Sequence, residues 1–247
     1  MVRLEKSEVL QRVIRKDDLG DLGVSTLTKT LEAIDKGKLS EAKELAKYLH
    51  RESKDVHDVY GDWISAALTY VAQKHGEEEI FDFIKVTLGP LMAGLPQLYQ
   101  VLDREAFIQY LAEYCRAHRT GPKQLGDVVI KDEGDRYVIV QDPCGSGGRL
   151  RRGDPVAGTP PRTEPPYNYR TIKGAYPWTW GRKNVFVYCA HCAVMEILSI
   201  ESVGFPVSIV EYQDDPGKPC KALIYKDPKK IPEEYYTRLG KTKPVDI

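Results

Sequence analysis

Hydrophobic residues at helical spacing dominate the first half of the chain. Leu27, Leu31 and Ile34 recur at intervals of three and four residues, and a second stripe with the same spacing runs through residues 45–70. Such spacing places apolar side chains on one face of an α-helix. The pattern therefore predicts two helices here, the second of them long and ending near Gly76.

Two shorter amphipathic segments follow, at residues 79–88 and 104–118. The prolines at positions 90 and 96 predict breaks between them, because proline lacks an amide hydrogen and clashes with the preceding helical turn. Residues 1–24 are mixed and charged and predict a short helix and a turn. Residues 1–120 are thus expected to form a helical domain, a bundle of four or five helices.

The second half has the composition of strands. Residues 127–131 and 136–140 are rich in β-branched side chains and are joined by a turn sequence around Gly134, which predicts a hairpin. Three further strands are expected at residues 185–188, 207–212 and 221–225, with a helix at 193–202. The whole chain is therefore predicted to be α+β: an N-terminal helical bundle, then a mixed α/β half at 121–247 with a small, mainly antiparallel sheet.

Charge and cysteine content narrow the functional classes. The 36 basic and 36 acidic side chains cancel, so the chain shows no electrostatic footprint for nucleic acid or an anionic membrane. The N-terminus lacks the apolar segment of a signal peptide, so we expect a cytoplasmic protein. Five cysteines in a reducing compartment favour metal binding or catalysis over disulfides. The expected partners are a small-molecule substrate and, as an assembly, a homodimer.

The sequence Cys189-Ala-His191-Cys192 is the strongest chemical signal. Two thiolates at this spacing can bind one ion, and Cys144 and Cys220 would complete a tetrahedral zinc or iron site. Four cysteines would form a closed structural site, whereas three, or two with His191, would leave a position open for water or substrate. The alternative is that these are reduced cysteines packed in a core.

A second chemistry fits the same motif. A strand, a Cys-x-x-Cys pair, a helix and another strand also occur in thioredoxin-like oxidoreductases, where the helix N-terminus favours the thiolate form of the first cysteine. The late position of Cys189 and Cys192 in the chain, after a long irregular segment, weighs against this interpretation.

A glycine-rich loop follows Cys144. Backbone amides in such loops can bind anions, and arginine can bind a carboxylate or phosphate through two hydrogen bonds. The segment 149–183 that follows is rich in proline and aromatic residues, as in loops that cover a binding site. The predicted substrate contacts are Gly145, Ser146, Gly147, Gly148, Arg149, Trp178 and Trp180. The alternative is a sharp turn with its arginines in solvent.

A cluster of acidic residues surrounds His57 in the predicted long helix. Asp58 and Asp62 are four residues apart and share a helix face, so they could direct two carboxylates into a cleft. A solvated acidic face is the alternative. The residues predicted to transfer protons are His191, His57 and Asp58.

The segment Gly217-Lys-Pro-Cys220, followed by an apolar strand, and more loosely the helix after Cys192, resemble the bacterial L-2-amino-thiazoline-4-carboxylic acid hydrolase-like proteins. The general layout, helical and then α/β with scattered cysteines, is similar as well. The resemblance implies hydrolysis of a small carbon-nitrogen ring. It extends neither to the loop at Cys144 nor to the turn at Cys189-Ala-His191-Cys192, so it assigns no catalytic residue.

Together these patterns predict a metal-dependent hydrolase or lyase. Zinc or iron would be bound by thiolates, and a small polar anionic molecule would bind under the aromatic segment 149–183. Two alternatives stay open: a thiol-disulfide oxidoreductase that uses Cys189 and Cys192, and a non-catalytic module with a structural four-cysteine zinc site.

Overall fold

The computed structural model describes residues 3–9 and 12–245, and the side chains of Lys54 and Asp55 lie outside this description. By their internal contacts the residues form two compact units, unit 1 at Met1–Val59 and unit 2 at Tyr60–Ile247.

Unit 1 begins with a β-hairpin. Strands β1 (Arg3–Ser7) and β2 (Arg12–Lys16) pair antiparallel, with Arg3 opposite Lys16. The predicted short helix over residues 1–24 is therefore wrong, although residues 1, 2, 10 and 11 lie outside the described residues. Strand β1 has one apolar residue, Leu4, and strand β2 has two adjacent ones, Val13 and Ile14. Neither strand therefore shows the period of two by which strands are recognised in a sequence.

Two helices complete the first part of the chain. Helix α1 (Thr26–Asp35) begins at Ser25, whose hydroxyl accepts a hydrogen bond from the Thr28 amide at 3.0 Å. Helix α2 (Leu39–Lys74) is 36 residues long and continues into unit 2. Both helices were predicted from apolar spacing, and both are confirmed. Neither they nor any other helix in the described ranges is long and apolar enough to span a membrane.

Four more helices follow in unit 2. They are α3 (Glu79–Thr87), α4 (Gly89–Met92), α5 (Gly94–Val101) and α6 (Arg104–Ala117). The predicted helices at 79–88 and 104–118 are confirmed. The region between them contains helices rather than simple breaks, because Pro90 and Pro96 lie in the first turns of α4 and α5, where the missing amide hydrogen is not needed.

A four-stranded antiparallel sheet forms the centre of the second half. Its strands are β3 (Val129–Asp132), β4 (Arg136–Gln141), β7 (Ile209–Glu211) and β8 (Cys220–Tyr225), in the spatial order β3-β4-β8-β7. The predicted hairpin of β3 and β4 is confirmed by their pairing. Strand β8 lies between β4 and β7 and is buried over Ala222–Tyr225.

The chain between β4 and β7 has its own secondary structure. It contains helix α7 (Gly147–Arg152), the paired short strands β5 (Thr171–Ile172) and β6 (Val185–Phe186), and helix α8 (Ala190–Val203), while helix α9 (Glu234–Thr237) follows β8. The predicted strand at 185–188 ends early, because residues 187–189 form a 3₁₀ turn that leads directly into α8.

One hydrophobic core serves all of unit 2. Phe107 of α6, Val138 of β4 and Val194 of α8 belong to the same buried cluster. The predicted domain boundary at residue 120 lies within this unit. The helices followed by a small antiparallel sheet confirm the predicted α+β class.

Truncation of this core should destabilise the protein strongly. Phe107 is fully buried, so we expect Phe107→Ala to lower the free energy of unfolding by about 3–5 kcal/mol, through lost burial and a cavity. Urea denaturation would measure the change. The control is Val86→Ala in α3, where the side chain is 72% exposed. Its free energy of unfolding should change by no more than about 0.5 kcal/mol. Equal effects of the two variants would contradict the assigned core.

Candidate functional site: a cluster of cysteines

Strand pairing brings two of the predicted ligands close together. In the register of β4 with β8, Gln141 lies opposite Cys220, the first residue of β8. Cys144 follows three residues after Gln141, in the turn that leads into α7. The Gly148 amide donates to Cys144 Sγ at 3.5 Å, and the Ser146 hydroxyl lies 3.7 Å from the same sulfur.

The other two cysteines lie at the start of α8. Cys189 immediately precedes the first residue of this helix, and Cys192 is in its first turn. The positive end of the helix dipole favours negative charge at both positions. Cys189 is buried, whereas Cys192 is partly exposed.

The four sulfurs share one neighbourhood. Burial raises the pKa of the Cys189 and Cys192 thiols well above the ordinary value, and charge on Cys144 and Cys220 raises both further. Burial also raises the pKa of Cys220 to about 11, with Cys144 as the next cause. All five cysteines are free. The structure thus brings together the four cysteines that the sequence separates into three segments.

Cys115, which the sequence left as a core residue, is an additional neighbour. It is buried in α6, and the Gln141 amide donates to its Sγ at 3.6 Å. Burial raises its pKa to about 11, and Cys144 contributes to the rise. In the sequence, the position of Cys115 on an apolar helix face gave no indication that it lies near Cys144.

The glycines of the loop make space for the cysteines and the neighbouring backbone. A methyl group on Gly147 would lie 2.5 Å from Cys189 Sγ, and one on Gly148 would lie 3.2 Å from Cys144 Cβ. A methyl group on Gly145 would lie 2.5 Å from the Arg119 amide nitrogen. These three predicted substrate contacts are buried, and close packing accounts for glycine at each.

Two arginines that follow the glycine-rich loop form hydrogen bonds with carboxylates and backbone carbonyls of the protein itself. Arg149 is 1% exposed; it donates to Asp154 at 2.9 Å and to the Gly145 carbonyl at 3.2 Å. Arg152 donates to Asp142 at 2.7 Å and to the carbonyls of Pro216 and Gly217. The arginines therefore connect the loop before α7 to the loop before Cys220.

The two predicted tryptophans are also packed within the protein. Trp178 and Trp180 are 6% and 5% exposed. Trp178 stacks on Tyr176 with ring centroids 4.6 Å apart, and Trp180 stacks on Tyr212 at 5.2 Å. Their ring faces thus contact tyrosines of the same unit.

His191 contacts the cluster directly. Its Nδ1 lies 2.6 Å from the Tyr188 carbonyl, and its Nε2 lies 3.4 Å from Cys192 Sγ. A carbonyl only accepts hydrogen bonds, so Nδ1 carries the hydrogen and Nε2 presents a lone pair to the thiol. Burial lowers the His191 pKa, which favours this neutral form.

The other predicted proton-transfer residues belong to unit 1. His57 Nδ1 lies 3.3 Å from Asp58 Oδ1, and Asp58 is buried. The cysteines all belong to unit 2. Asp62, at the start of unit 2, accepts a hydrogen bond from Arg162 at 2.8 Å, so it forms an ion pair within that unit.

Glu196 is a buried carboxylate that the sequence analysis missed. It accepts hydrogen bonds from Trp180 Nε1 at 3.0 Å, the Val210 amide at 2.8 Å and Arg238 at 2.7 Å. Burial raises its pKa. It lies one helical turn after Cys192, and this spacing of four residues was the available signal.

Within residues 3–9 and 12–245, no group of three or more histidine, cysteine, aspartate or glutamate side chains is placed to hold a metal ion. Comparison of the chain with protein-family models, with curated proteins and with solved structures finds no match. The cysteine cluster therefore has to be interpreted from its own residues.

Close packing at Gly147 gives a direct test of the cluster. A methyl group there overlaps Cys189 Sγ, so we expect Gly147→Ala to lower the free energy of unfolding by about 1–3 kcal/mol. Gly94→Ala in α5 is the matched control, since nothing lies within 4 Å of its added methyl. The control should be neutral or stabilising by up to about 1 kcal/mol. Chemical denaturation would measure both, and a neutral Gly147→Ala would contradict the described approach.

Removal of the Glu196 carboxylate should be more damaging. Glu196→Ala removes the acceptor shared by Trp180 Nε1, the Val210 amide and Arg238, and we expect a loss of about 3–5 kcal/mol in the free energy of unfolding. Glu201→Ala on the same helix is the control, because that carboxylate is 38% exposed and pairs with Lys241 and Lys85. Thermal and urea unfolding should show less than about 1 kcal/mol for the control. A similarly small loss for Glu196→Ala would refute the buried network.

Proposed function

We propose that the protein is a metal-dependent enzyme in which Cys144, Cys189 and Cys192 bind a zinc or iron ion, and in which the fourth position is open to water or substrate whenever Cys220 or His191 does not occupy it. The observation that supports this proposal is the gathering of four free thiols from three separate segments. We further propose a cytoplasmic location, where thiols that bind a metal stay reduced.

The donor set fits such an ion chemically. Sulfur ligands select zinc, iron and other soft metals over magnesium or calcium. The Gly148 amide donates to Cys144 Sγ, and Cys189 lies at the N-terminus of α8, where the helix dipole favours negative charge. In the described part of the chain these side chains do not form a group placed to hold an ion, so binding would require them to move.

In the enzyme, the ion would activate water or polarise a substrate carbonyl. His191 is the proposed proton-transfer residue, because its Nε2 lone pair faces the cluster and its Nδ1 is held by the Tyr188 carbonyl. Roles for His57 and Asp58 stay predictions.

The substrate contact best supported by geometry is Ser146. Its hydroxyl lies 3.7 Å from Cys144 Sγ, whereas the Arg149 guanidinium is paired with Asp154. We propose a small polar anionic substrate that undergoes hydrolysis or elimination. The resemblance to the thiazoline-carboxylate hydrolase-like proteins adds cleavage of a small carbon-nitrogen ring as a specific proposal. Binding by the three glycines, Trp178 and Trp180 stays a prediction.

Two other functions have observations in their favour. Cys189 and Cys192 lie at the N-terminus of a 14-residue helix, which supports thiol-disulfide exchange. The engagement of Arg149 and Trp180 by the protein itself supports a closed, structural four-cysteine zinc site without catalysis.

Metal analysis distinguishes these functions. We expect protein purified without added metal to contain about one equivalent of zinc or iron, and Cys189→Ser to lose it. Cys115→Ser is the matched control and should retain the metal, because Cys115 is a buried neighbour outside the proposed ligand set. Elemental analysis and thiol titration would measure both quantities.

Less than about a tenth of an equivalent, with five titratable thiols, would reject the metal site. Reversible formation of a Cys189–Cys192 disulfide in such a sample would support the redox function instead. After cobalt substitution, a spectrum of four sulfur ligands without an exchangeable water would reject catalysis at the metal and support the structural site.

A further inference from the structure

A cleft of about 460 Å³ lies within unit 2, apart from the proposed metal ligands. Its volume is within the range of roughly 300–1,000 Å³ that is usual for small-molecule sites. Three segments form its walls: the loop at Trp180, the end of β7 with the residues after it, and helix α9 with the residue after it. The groups that line it include Trp180, Arg182, Glu211, Gln213, Glu234 and Arg238.

Trp180 has an unusual backbone conformation at this cleft. Its φ of 55° and ψ of 29° lie in the left-handed region, which bulky side chains rarely adopt. The indole is held there by donation to Glu196 and by stacking on Tyr212. Backbone strain of this kind is concentrated at ligand sites, so the conformation of Trp180 is consistent with a binding role for the cleft.

Arg238 has donor groups that the protein does not use. Its Nη2 donates to Glu196 at 2.7 Å and to the Val210 carbonyl at 3.2 Å. Its Nε is buried without a hydrogen-bond partner. Its Nη1 is not buried and has no acceptor within the described ranges. Unused donors beside a cleft indicate a missing acceptor, which a ligand would supply.

Glu234 is left without its natural partner. It precedes Arg238 by four residues, the spacing at which a carboxylate and a guanidinium on one helix face commonly pair. Arg238 instead pairs with Glu196, which is 1% exposed. In the part of the chain that the structure describes, Glu234 forms no ion pair, although it lines the cleft. The cleft therefore presents an uncompensated carboxylate beside a guanidinium with unused donors.

The charge balance of the cleft selects the class of ligand. Its other charged side chains are already paired, Arg182 with Asp214 at 2.7 Å and Glu211 with Lys221 at 3.9 Å. A simple anion would therefore meet no uncompensated cation, whereas an ammonium group would pair with Glu234. A carboxylate on the same molecule would then accept a hydrogen bond from Arg238.

We propose that this cleft binds an α-amino acid with a polar, uncharged side chain. The ammonium group pairs with Glu234 and the carboxylate with Arg238 Nη1; the two residues are one helical turn apart, about 5–6 Å between Cβ atoms. The side chain of the ligand extends to Arg182 and Gln213, whose guanidinium and carboxamide complement a carboxamide group. The cleft includes none of the proposed metal ligands, so this proposal does not depend on the proposed function.

Isothermal titration calorimetry with L-glutamine tests the site. We expect a dissociation constant of about 1 mM or below, and Glu234→Gln should raise it by about ten-fold or more, because the ammonium group loses its carboxylate. Glu233→Gln is the matched control: it removes the same charge from the adjacent exposed residue, which does not line the cleft. The control should bind as the unaltered protein does, and circular dichroism should show all three proteins equally folded.

Two analogues of the probe test the recognition of its head group. N-acetyl-L-glutamine lacks the ammonium group and the α-amide of L-glutamine lacks the carboxylate, so each should bind about ten-fold more weakly or worse. Arg182→Gln should weaken L-glutamine binding by about three-fold or more, whereas Lys183→Gln, at the neighbouring exposed position, should not.

Three results would overturn the proposal. The first is no binding of L-glutamine up to about 20 mM. The second is binding that Glu234→Gln leaves unchanged, since the ligand would then lie elsewhere. The third is binding of N-acetyl-L-glutamine as tight as that of L-glutamine, since the ammonium group would then make no contact.

Discussion

The antiparallel pairing of β4 with β8 is the constraint on which the cysteine cluster depends. It sets Cys220 opposite Gln141 and so fixes the distance along the sheet from Cys220 to the turn at Cys144. A slip of one residue would turn every side chain of β8 to the other face. Leu223 and Ile224 lie on opposite faces of β8, and both are buried. A slip would therefore exchange packed side chains on both faces, so packing in the core maintains the register.

Two arginines of α7 then fix the loops around the cysteines. Arg152 donates to Asp142 on one loop and to Gly217 on the other, while Arg149 is buried against Asp154. A buried pair of this kind contributes little net stability, but loss of one partner leaves an uncompensated charge, which makes the geometry specific. The guanidinium groups are thereby used to position the cysteine loop.

Helix α8 links the cluster to the rest of the core. Cys189, Cys192 and Glu196 lie at intervals of three and four residues, so they share one face of this helix. Burial raises the pKa of all three groups. The Glu196 carboxylate accepts three hydrogen bonds, which offset the cost of burying its charge. In the part of the chain that the structure describes, no comparable set of donors reaches the two thiols, and a bound cation would supply the missing compensation in the proposed enzyme.

The sequence by itself determined helices α1, α2, α3, α6 and α8 and the hairpin at Gly134, because apolar spacing and turn residues act locally. It also identified the four cysteines, but only strand pairing and the start of α8 decided that they meet. Spacing could not show that Arg149 is paired with Asp154 or that Gly147 packs on Cys189, since those partners depend on how the segments pack. The same holds for Glu196 and Cys115. Local patterns determined which elements form, and burial in the shared core decided which side chains meet.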